Sequence, residues 1–224
     1  MPRQALPNHH VAGSACYHTI PAGTLLWRMH QSRHPADSFA PPRPDPIFTG
    51  ARFDGTSLYG YDYYYAAETP QTALAEVLLR RREFTGVSGR LITREEVAGR
   101  RLSAVVTTTA LKLVSLLSMT DLAAVSQDDW LLNSDDEGLA YTRAWAGQLW
   151  KAEPEAQGLI WMSRRNMPER AIMLFGGRCG RTPLQIRTHE TIDLDDPAGL
   201  ARANEMLRPF RASIDPDPKG SLRP

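Results

Sequence analysis

The sequence predicts an α+β fold. The chain has 224 residues, of which 42% are hydrophobic and 23% are charged, as in an ordinary globular protein. Short apolar runs of strand length alternate with helix-start signals, but they do not keep a strict strand–helix–strand rhythm. The connections between them are irregular in length. These observations favour α+β over a doubly wound parallel sheet.

The first third of the chain predicts two strands separated by a long loop. Residues 1–20 are expected to form an N-terminal tail, and residues 24–29 (TLLWRM) a short buried strand. Residues 34–46 contain five prolines and predict an extended loop, because proline removes a donor and disfavours helix in the residue before it. Residues 53–55 (FDG) predict a turn, and the tyrosine run at 59–65 predicts a strand.

A helix-start signal follows the tyrosines directly. Thr69 suits the N-cap and Pro70 the first helical position, and the helix is expected to reach about Glu83. A second helix is expected from Ser134 to Lys151, with acidic residues in its first turn. The remaining predicted elements are strands at 90–93, 102–108, 112–117, 159–162 and 171–175, and a short helix at 197–207.

These elements predict one main domain with two flanking segments. The expected divisions are a tail at 1–20, the domain at 21–180, and a C-terminal extension at 181–224. The extension is expected to hold the short helix at 197–207 and to end in a disordered stretch rich in proline, aspartate and glycine.

Charge and apolar content exclude several functional classes. The net charge of +1 gives no support for direct nucleic-acid binding. The longest apolar stretch, at 111–119, is much shorter than the roughly 20 residues of a membrane span. The N-terminus has no apolar region typical of a signal peptide, so we expect a cytoplasmic protein. Export as an effector by a route that leaves no N-terminal signal stays open.

Cysteine and histidine spacing predicts no metal site. The two cysteines, Cys16 and Cys179, fit neither a zinc pattern nor a disulfide framework and are expected to be reduced. The histidines at 9–10, and at 30 and 34, have no carboxylate or cysteine at ligand spacing beside them.

The segment Tyr59–Glu76 carries the clearest functional signal. Five of the seven tyrosines lie between Tyr59 and Tyr65, and strand alternation places Tyr65 on the opposite face from Tyr64. Most of these rings are expected to pack in the core, but one could stack on an aromatic ligand, with a cation–π contribution if that ligand is charged. A carboxylate, Glu76, follows on the next helix. Stacking surface and negative charge together suit a flat, cationic, ribose-linked ligand.

Each candidate side chain also has a purely structural interpretation. Glu76 could be a solvated helical residue paired with Arg80, an interaction worth about 0.2–0.5 kcal/mol. Arg28 could lie on the solvent face of its strand, or its guanidinium could bind a pyrophosphate or carboxylate. Ser163 could simply begin a turn, and no histidine suggests a catalytic triad. The arginines at 80–82 fit a solvated helix end.

Five segments, in this order and spacing, resemble the RES family, which is named for its arginine, glutamate and serine. Tyr65 precedes Glu76 by eleven residues in this set. The segment at 51–54 (ARFD) stands where Gly-Arg-Trp-Asn is common in the family. The five segments are Trp27-Arg28, 51–54, 65–76, 158–163 and 171–175.

The resemblance implies a fold and an activity. It implies a compact single domain of twisted, largely antiparallel sheets with flanking helices, similar to ADP-ribosyltransferases. RES proteins are commonly toxins of bacterial toxin–antitoxin pairs that degrade NAD by phosphorolysis or hydrolysis, and some transfer ADP-ribose to a protein. NAD would be the substrate, with no further cofactor and no metal. A separately encoded antitoxin or immunity protein would be the partner.

The resemblance also implies a set of site residues. Glu76, Arg28 and Ser163 would be catalytic, and Arg28, Arg52, Tyr65 and Ser163 would bind NAD. No GxGxxG or Walker A sequence is present, so NAD would not be bound as in a Rossmann fold.

Two other classes of function remain open from the sequence. A non-catalytic module could use the tyrosines and the proline-rich loop to hold a nucleotide or a partner protein. A nucleic-acid binder could use the arginines at 80–82, although the near-neutral charge disfavours it.

Overall fold

A computed structural model describes residues 14–44, 50–84, 89–134 and 136–215. Ten strands and six α-helices lie in these ranges, and a short 3₁₀ helix at Arg208–Phe210 directly follows the last α-helix. The strands are β1 (Tyr17–Ile20), β2 (Leu25–Gln31), β3 (Tyr63–Ala67), β4 (Arg90–Ile92), β5 (Arg100–Thr107), β6 (Leu111–Leu116), β7 (Gly158–Met162), β8 (Arg170–Phe175), β9 (Leu184–Asp193) and β10 (Ala212–Ile214). The helices are α1 (Pro70–Leu78), α2 (Arg94–Val97), α3 (Met119–Ala124), α4 (Trp130–Asn133), α5 (Leu139–Ala152) and α6 (Pro197–Leu207).

The described strands form one large sheet and one small one. The large sheet has eight strands in the order β1-β6-β7-β8-β3-β2-β5-β9, and β4 and β10 form a separate pair. Within the large sheet only β6 and β7 run parallel; every other neighbouring pair is antiparallel. The predicted α+β class with largely antiparallel sheets and flanking helices is therefore confirmed.

The large sheet is almost divided between β2 and β3. These two strands share a single residue pair, Trp27 with Ala67, whereas β2 pairs with β5 along its whole length. Beyond this pair the two strands diverge, and Arg28 on β2 is not paired across to β3. The divergence leaves room for a cavity in the middle of the sheet.

Buried side chains pack on both faces of this sheet. Tyr63 and Tyr65 contact the cluster that includes α5, while Tyr64 lies in a different cluster on the opposite face. The predicted alternation of the tyrosine strand is confirmed. Most of these rings serve packing, since Tyr61, Tyr63 and Tyr64 are all buried.

One predicted boundary near the N-terminus differs from the structure. The predicted tail at 1–20 is wrong over its last four residues, which form β1 and pair with β6. The cause is a long-range contact: Ile20 is buried opposite Leu111, and nothing in the local sequence signals that pairing. Residues 1–13, including the histidine pair at 9–10, lie outside the described residues.

Helix α1 begins as predicted but ends earlier. The Thr69 hydroxyl accepts a hydrogen bond from Thr72 N–H at 3.2 Å, and Pro70 is the first helical residue. The helix ends at Leu78 instead of about Glu83. Buried Leu79 and the Arg82 guanidinium, which donates to the Leu91 carbonyl, tie the chain to β4. These tertiary contacts take the chain out of the helix.

The second predicted helix begins later than expected. Helix α5 starts at Leu139, and a separate short helix, α4, ends at Asn133. The acidic residues Asp136 and Glu137 lie in the turn before α5. Asp135 is outside the described residues.

The C-terminal extension is part of the main structure as far as Asp215. Strand β9 pairs with β5 in the large sheet, and α6 contacts both α1 and β9. The predicted helix at 197–207 coincides with α6, whose N-cap Asp196 accepts from Gly199 N–H at 3.0 Å. Strand β9 was not predicted. Residues 216–224, where disorder was predicted, lie outside the described part of the chain.

Metal-binding and membrane features are not found in the described ranges. None of the helices there is long and apolar enough to cross a bilayer. No group of three or more histidines, cysteines and carboxylates in those residues could hold a metal ion. Cys16 is exposed and Cys179 buried, both as free thiols, and burial raises the pKa of Cys179 to about 12.

Candidate active site

A cavity of about 420 Å³ opens where β2 and β3 diverge. Helix α1 and the turn after it form one wall, with Ala73, Glu76 and Val77 on the helix and Arg80 two residues beyond its end. Four of the five residues singled out from sequence line this cavity, namely Arg28, Arg52, Tyr65 and Glu76. Residues from four different parts of the sequence, between positions 28 and 76, therefore meet at one site.

Glu76 is held by Ser163, the fifth residue. The Ser163 hydroxyl donates to Glu76 Oε1 at 2.6 Å, and Ser163 is fully buried behind the cavity. The same hydroxyl oxygen accepts from the backbone N–H groups of Arg165 and Asn166, both at 3.2 Å. A serine hydroxyl has one hydrogen and two lone pairs. Because both lone pairs are used, the hydrogen is directed at the Glu76 carboxylate.

The loop after β7 is also tied to the start of α1. Asn166 Nδ2 donates to the Thr72 hydroxyl oxygen at 2.8 Å. Thr72 is buried, and its hydroxyl bonds that of the N-cap residue Thr69 at 2.6 Å. Since Glu76 lies one turn further along α1, this network fixes the helix and the serine relative to each other.

Arg28 is partly buried, so it is not the fully solvated strand arginine of the structural interpretation. Its Nη1 donates to the carbonyls of Ala36, at 3.3 Å, and Ser38. Its Cζ lies 4.2 Å from the centre of the Tyr64 ring. The described part of the proline-rich loop, residues 34–44, thus supplies the carbonyls that hold the guanidinium at the cavity.

Tyr65 presents its ring to the cavity and anchors the neighbouring loop. Its hydroxyl oxygen accepts from Phe53 N–H at 2.9 Å, and its ring lies edge-on to that of Trp161, 6.3 Å between centroids. Burial raises the pKa of Tyr65 well above its ordinary value, so the hydroxyl stays protonated at neutral pH. Burial also raises the pKa of Asp54, while hydrogen bonds from Ala51 N–H and the Tyr65 hydroxyl oppose that rise.

Arg52 projects from the loop that Tyr65 anchors. Its Nη2 donates to the Ser134 carbonyl at 3.3 Å, and its own carbonyl accepts from the Thr142 hydroxyl at 2.7 Å. Burial, together with the charge of Arg80, lowers the pKa of Arg52 to about 10, against the opposing effect of Glu76. Arg52 therefore remains a cation at neutral pH.

Two cavity residues were missed from sequence. Trp161 was read only as part of an apolar strand, yet it lines the cavity beside Tyr65. Arg80 was interpreted as the solvated partner of Glu76, but these two form no salt bridge in the described part of the chain. The predicted pairing assumed that the helix continued past Arg80, because residues four apart share a helix face, whereas α1 ends at Leu78.

Comparisons with known proteins agree with the fold. The sequence model of the RES domain matches residues 25–195. No curated protein matches the chain. Among solved structures, a chain in the crystal structure of the M. tuberculosis MbcT–MbcA toxin–antitoxin complex is similar, with a TM-score of 0.58 and 18% sequence identity. The likeness covers 84% of this chain and 91% of that one, and at this identity it establishes the fold.

Proposed function

The chain belongs to the RES domain family, and from this premise we propose that it is a toxin that cleaves the nicotinamide–ribose bond of NAD. The observation that carries the proposal is the Glu76 carboxylate, which lines a cavity together with Arg28, Arg52 and Tyr65. The cavity volume of about 420 Å³ lies within the range of small-molecule sites, roughly 300–1,000 Å³.

The chemistry of NAD cleavage needs the groups that this cavity offers. Nicotinamide leaves as a neutral molecule, because the pyridinium nitrogen takes the electron pair of the broken bond. No general acid is therefore required. The difficulty is the positive charge that develops on the ribose, as in glycoside cleavage. A fixed carboxylate stabilises that charge, and a preorganised group of this kind is worth about 3–4 kcal/mol in other enzymes.

We assign Glu76 to this role and Ser163 to its support. Ser163 is a positioning residue: its hydroxyl holds one carboxylate oxygen at 2.6 Å and keeps the other available to the ribose.

The remaining residues would bind the rest of the dinucleotide. Arg28 would pair with the pyrophosphate, since its backbone-held guanidinium carries a charge that no carboxylate neutralises in the described residues. Tyr65 would stack on the nicotinamide ring, where a cationic pyridinium gains a cation–π contribution. Arg52 would be an additional contact.

The enzyme assay follows directly. Purified protein is incubated with NAD, with and without phosphate, and nicotinamide release is measured. We expect turnover in at least one condition, and the second product then identifies the acceptor as water, phosphate or a protein. The absence of nicotinamide release under both conditions, and with a cell extract as a source of acceptor proteins, would sink the enzymatic proposal.

A separately encoded antitoxin or immunity protein would restrain this activity. The proposal rests on family membership and on the likeness to a chain that was crystallised in a toxin–antitoxin complex. Expression of this chain alone should deplete cellular NAD and arrest growth. Co-expression of the product of the adjacent reading frame should restore the NAD level and growth. If no neighbouring gene did so, the proposal of a separately encoded antitoxin would be contradicted.

A further inference from the structure

A second cavity, of about 580 Å³, adjoins the first at Arg28. Three residues line both cavities, namely Arg28, Ala40 and Tyr63. The end of β2, the turn after it and the described part of the proline-rich loop form most of its wall. Its volume lies within the range of small-molecule sites, roughly 300–1,000 Å³. The residues assigned above to nicotinamide and ribose do not line it, so this cavity is open to another part of the ligand.

The wall of the second cavity is basic. Three arginines line it, Arg28, Arg33 and Arg43, and none of its described lining residues is an aspartate or glutamate. Asp37 belongs to the same loop but is outside the lining. The positive charge comes from the arginines, because burial lowers the pKa of His30 and keeps that ring neutral at pH 7.

Arg33 and Arg43 bring positive charge to the outer part of this wall. Both residues are exposed. Arg33 forms no ion pair within the described part of the chain. A hydrogen bond with the Tyr63 side chain raises the pKa of Arg43, so both guanidinium groups are cations at neutral pH. The planar donors of a guanidinium match two oxygens of one phosphate group.

The same wall offers apolar surface to a flat ring. Phe39 is partly buried, and its ring packs against that of Tyr64 with 5.2 Å between centroids. Three prolines also line the cavity, namely Pro41, Pro42 and Pro44, and each proline fixes its own backbone φ. An aromatic ring and rigid prolines, next to cations without carboxylates, suit a purine that carries phosphate.

We propose that the second cavity takes the adenosine half of the dinucleotide and that Arg33 and Arg43 bind a phosphate on its ribose, so that the protein accepts NADP and prefers it to NAD. This inference rests on the proposed cleavage of NAD. With the nicotinamide at Tyr65 and the pyrophosphate at Arg28, the ligand continues past Arg28 into the second cavity.

The absence of a carboxylate from the described lining favours the phosphorylated dinucleotide. In dinucleotide-binding folds an aspartate or glutamate bonds the 2′-hydroxyl of the adenosine ribose of NAD, whereas an arginine accommodates the 2′-phosphate of NADP. This cavity has the arginines and, among its described residues, no such carboxylate. The bond that breaks is the same nicotinamide–ribose bond in both dinucleotides, so the additional phosphate changes binding and leaves the chemistry unchanged.

Binding of two adenosine fragments tests the site without relying on catalysis. Adenosine 2′,5′-bisphosphate carries the additional phosphate, and 5′-AMP lacks it. Isothermal titration at constant ionic strength compares their affinities for the wild type and for Arg33→Gln. We expect the wild type to bind the bisphosphate about tenfold more tightly than 5′-AMP. In Arg33→Gln this ratio should fall to about threefold or less, because only Arg43 remains at the 2′-phosphate.

Two further variants make the titration specific. Arg202→Gln is the matched control, since it removes the same charge from an exposed position on α6 that lines neither cavity, and it should keep the wild-type ratio. Arg33→Glu, at an exposed position, should leave the melting temperature unchanged and make 5′-AMP the tighter ligand. A wild type that binds both fragments equally, or binds neither at about 10 mM, would overturn the proposal. A ratio that stays the same in both Arg33 variants would do so too.

Nicotinamide release from NAD and from NADP separates this inference from the proposed function. We expect KM for NADP to be about tenfold below KM for NAD, with similar kcat, and Arg33→Gln to raise KM for NADP alone. Release from NAD by a protein that binds the two fragments equally would leave NAD cleavage standing and overturn the NADP site. A fragment preference that depends on Arg33, without release from either dinucleotide, would do the reverse.

Discussion

The hydroxyl of Ser163 is placed to hold a single atom, Glu76 Oε1. Removing it in Ser163→Ala leaves the carboxylate without its buried donor and takes the hydroxyl acceptor away from the N–H groups of Arg165 and Asn166. We expect kcat for nicotinamide release to fall about 10–100-fold, as for loss of one charge-assisted hydrogen bond, with KM for NAD changed by less than about twofold.

The matched control for that change is Ser213→Ala, at an exposed position on β10. Its kinetics should equal those of the wild type. A larger KM with an unchanged kcat in Ser163→Ala would instead mean that Ser163 binds NAD without supporting Glu76.

His30 gives a pH dependence to stability. The residue is buried, its Nε2 lies 2.9 Å from the Ser103 hydroxyl, and burial, with smaller effects from Arg28 and Arg101, lowers its pKa. Below about pH 6.5 the His30 imidazole binds a proton in the unfolded chain but not yet in the folded protein. The free energy of unfolding should therefore decrease as the pH is lowered, by at most about 1.4 kcal/mol per pH unit. Urea unfolding between about pH 7 and 5 measures it.

In His30→Gln this part of the pH dependence should disappear, although the variant itself is less stable. An identical slope in the two proteins would show that other groups are responsible.

Sequence alone predicted the residues whose signals are local. Tyr65 and Glu76 lie on adjacent elements, so strand alternation and the helix start were enough to suggest a stacking ring near a carboxylate. Arg80 required tertiary information. Its spacing from Glu76 suggested an ion pair, and only the fold places Ser163 against Glu76 and Arg80 in the cavity wall. Trp161 was not predicted to line the cavity, because a tryptophan in an apolar strand is expected to pack in the core.

At the scale of elements, α6 is part of the core. Leu207 is fully buried and packs in the cluster that contains α1 residues and β5. We expect Leu207→Ala to lower the free energy of unfolding by about 2–5 kcal/mol, because it removes buried methyl groups and leaves a cavity. Chemical denaturation is the measurement.

Leu58→Ala is the control for α6, since Leu58 is 69% exposed and should change stability by less than about 0.5 kcal/mol. If Leu207→Ala were equally neutral, α6 would not be part of the core.

Element boundaries were predictable where capping residues set them. Asp196 followed by Pro197, and Thr69 followed by Pro70, both begin helices where expected. The end of α1 was not, because contacts from Arg82 and Leu79 to distant residues determine it. Strand β9 was missed for a similar reason: it is an edge strand with many exposed residues and weak alternation.

At the scale of the molecule, the site depends on a feature that no local pattern encodes. The large sheet is continuous except where β2 and β3 share one residue pair. That divergence separates Arg28 from Tyr65 and lets α1 present Glu76 between them. The fold class could be predicted from the order of the elements. The cavity could not, because the opening arises from how the eight strands pair.

The central claim is that the Glu76 carboxylate stabilises the positive charge that develops on the ribose when NAD is cleaved. Glu76→Gln keeps the shape of the side chain and an oxygen that can accept the hydrogen bond from Ser163, but it removes the negative charge. Glu95→Gln, at an exposed position on α2 that does not line the cavity, is the matched control. NAD should still raise the melting temperature of Glu76→Gln, because Arg28 and Tyr65 remain.

The most direct measurement is the rate of nicotinamide release by the wild type, Glu76→Gln and Glu95→Gln at saturating NAD. We predict that Glu95→Gln matches the wild type and that Glu76→Gln is slower by about 10²–10³-fold, the effect of losing one preorganised electrostatic group. Release by Glu76→Gln at the wild-type rate would contradict the account.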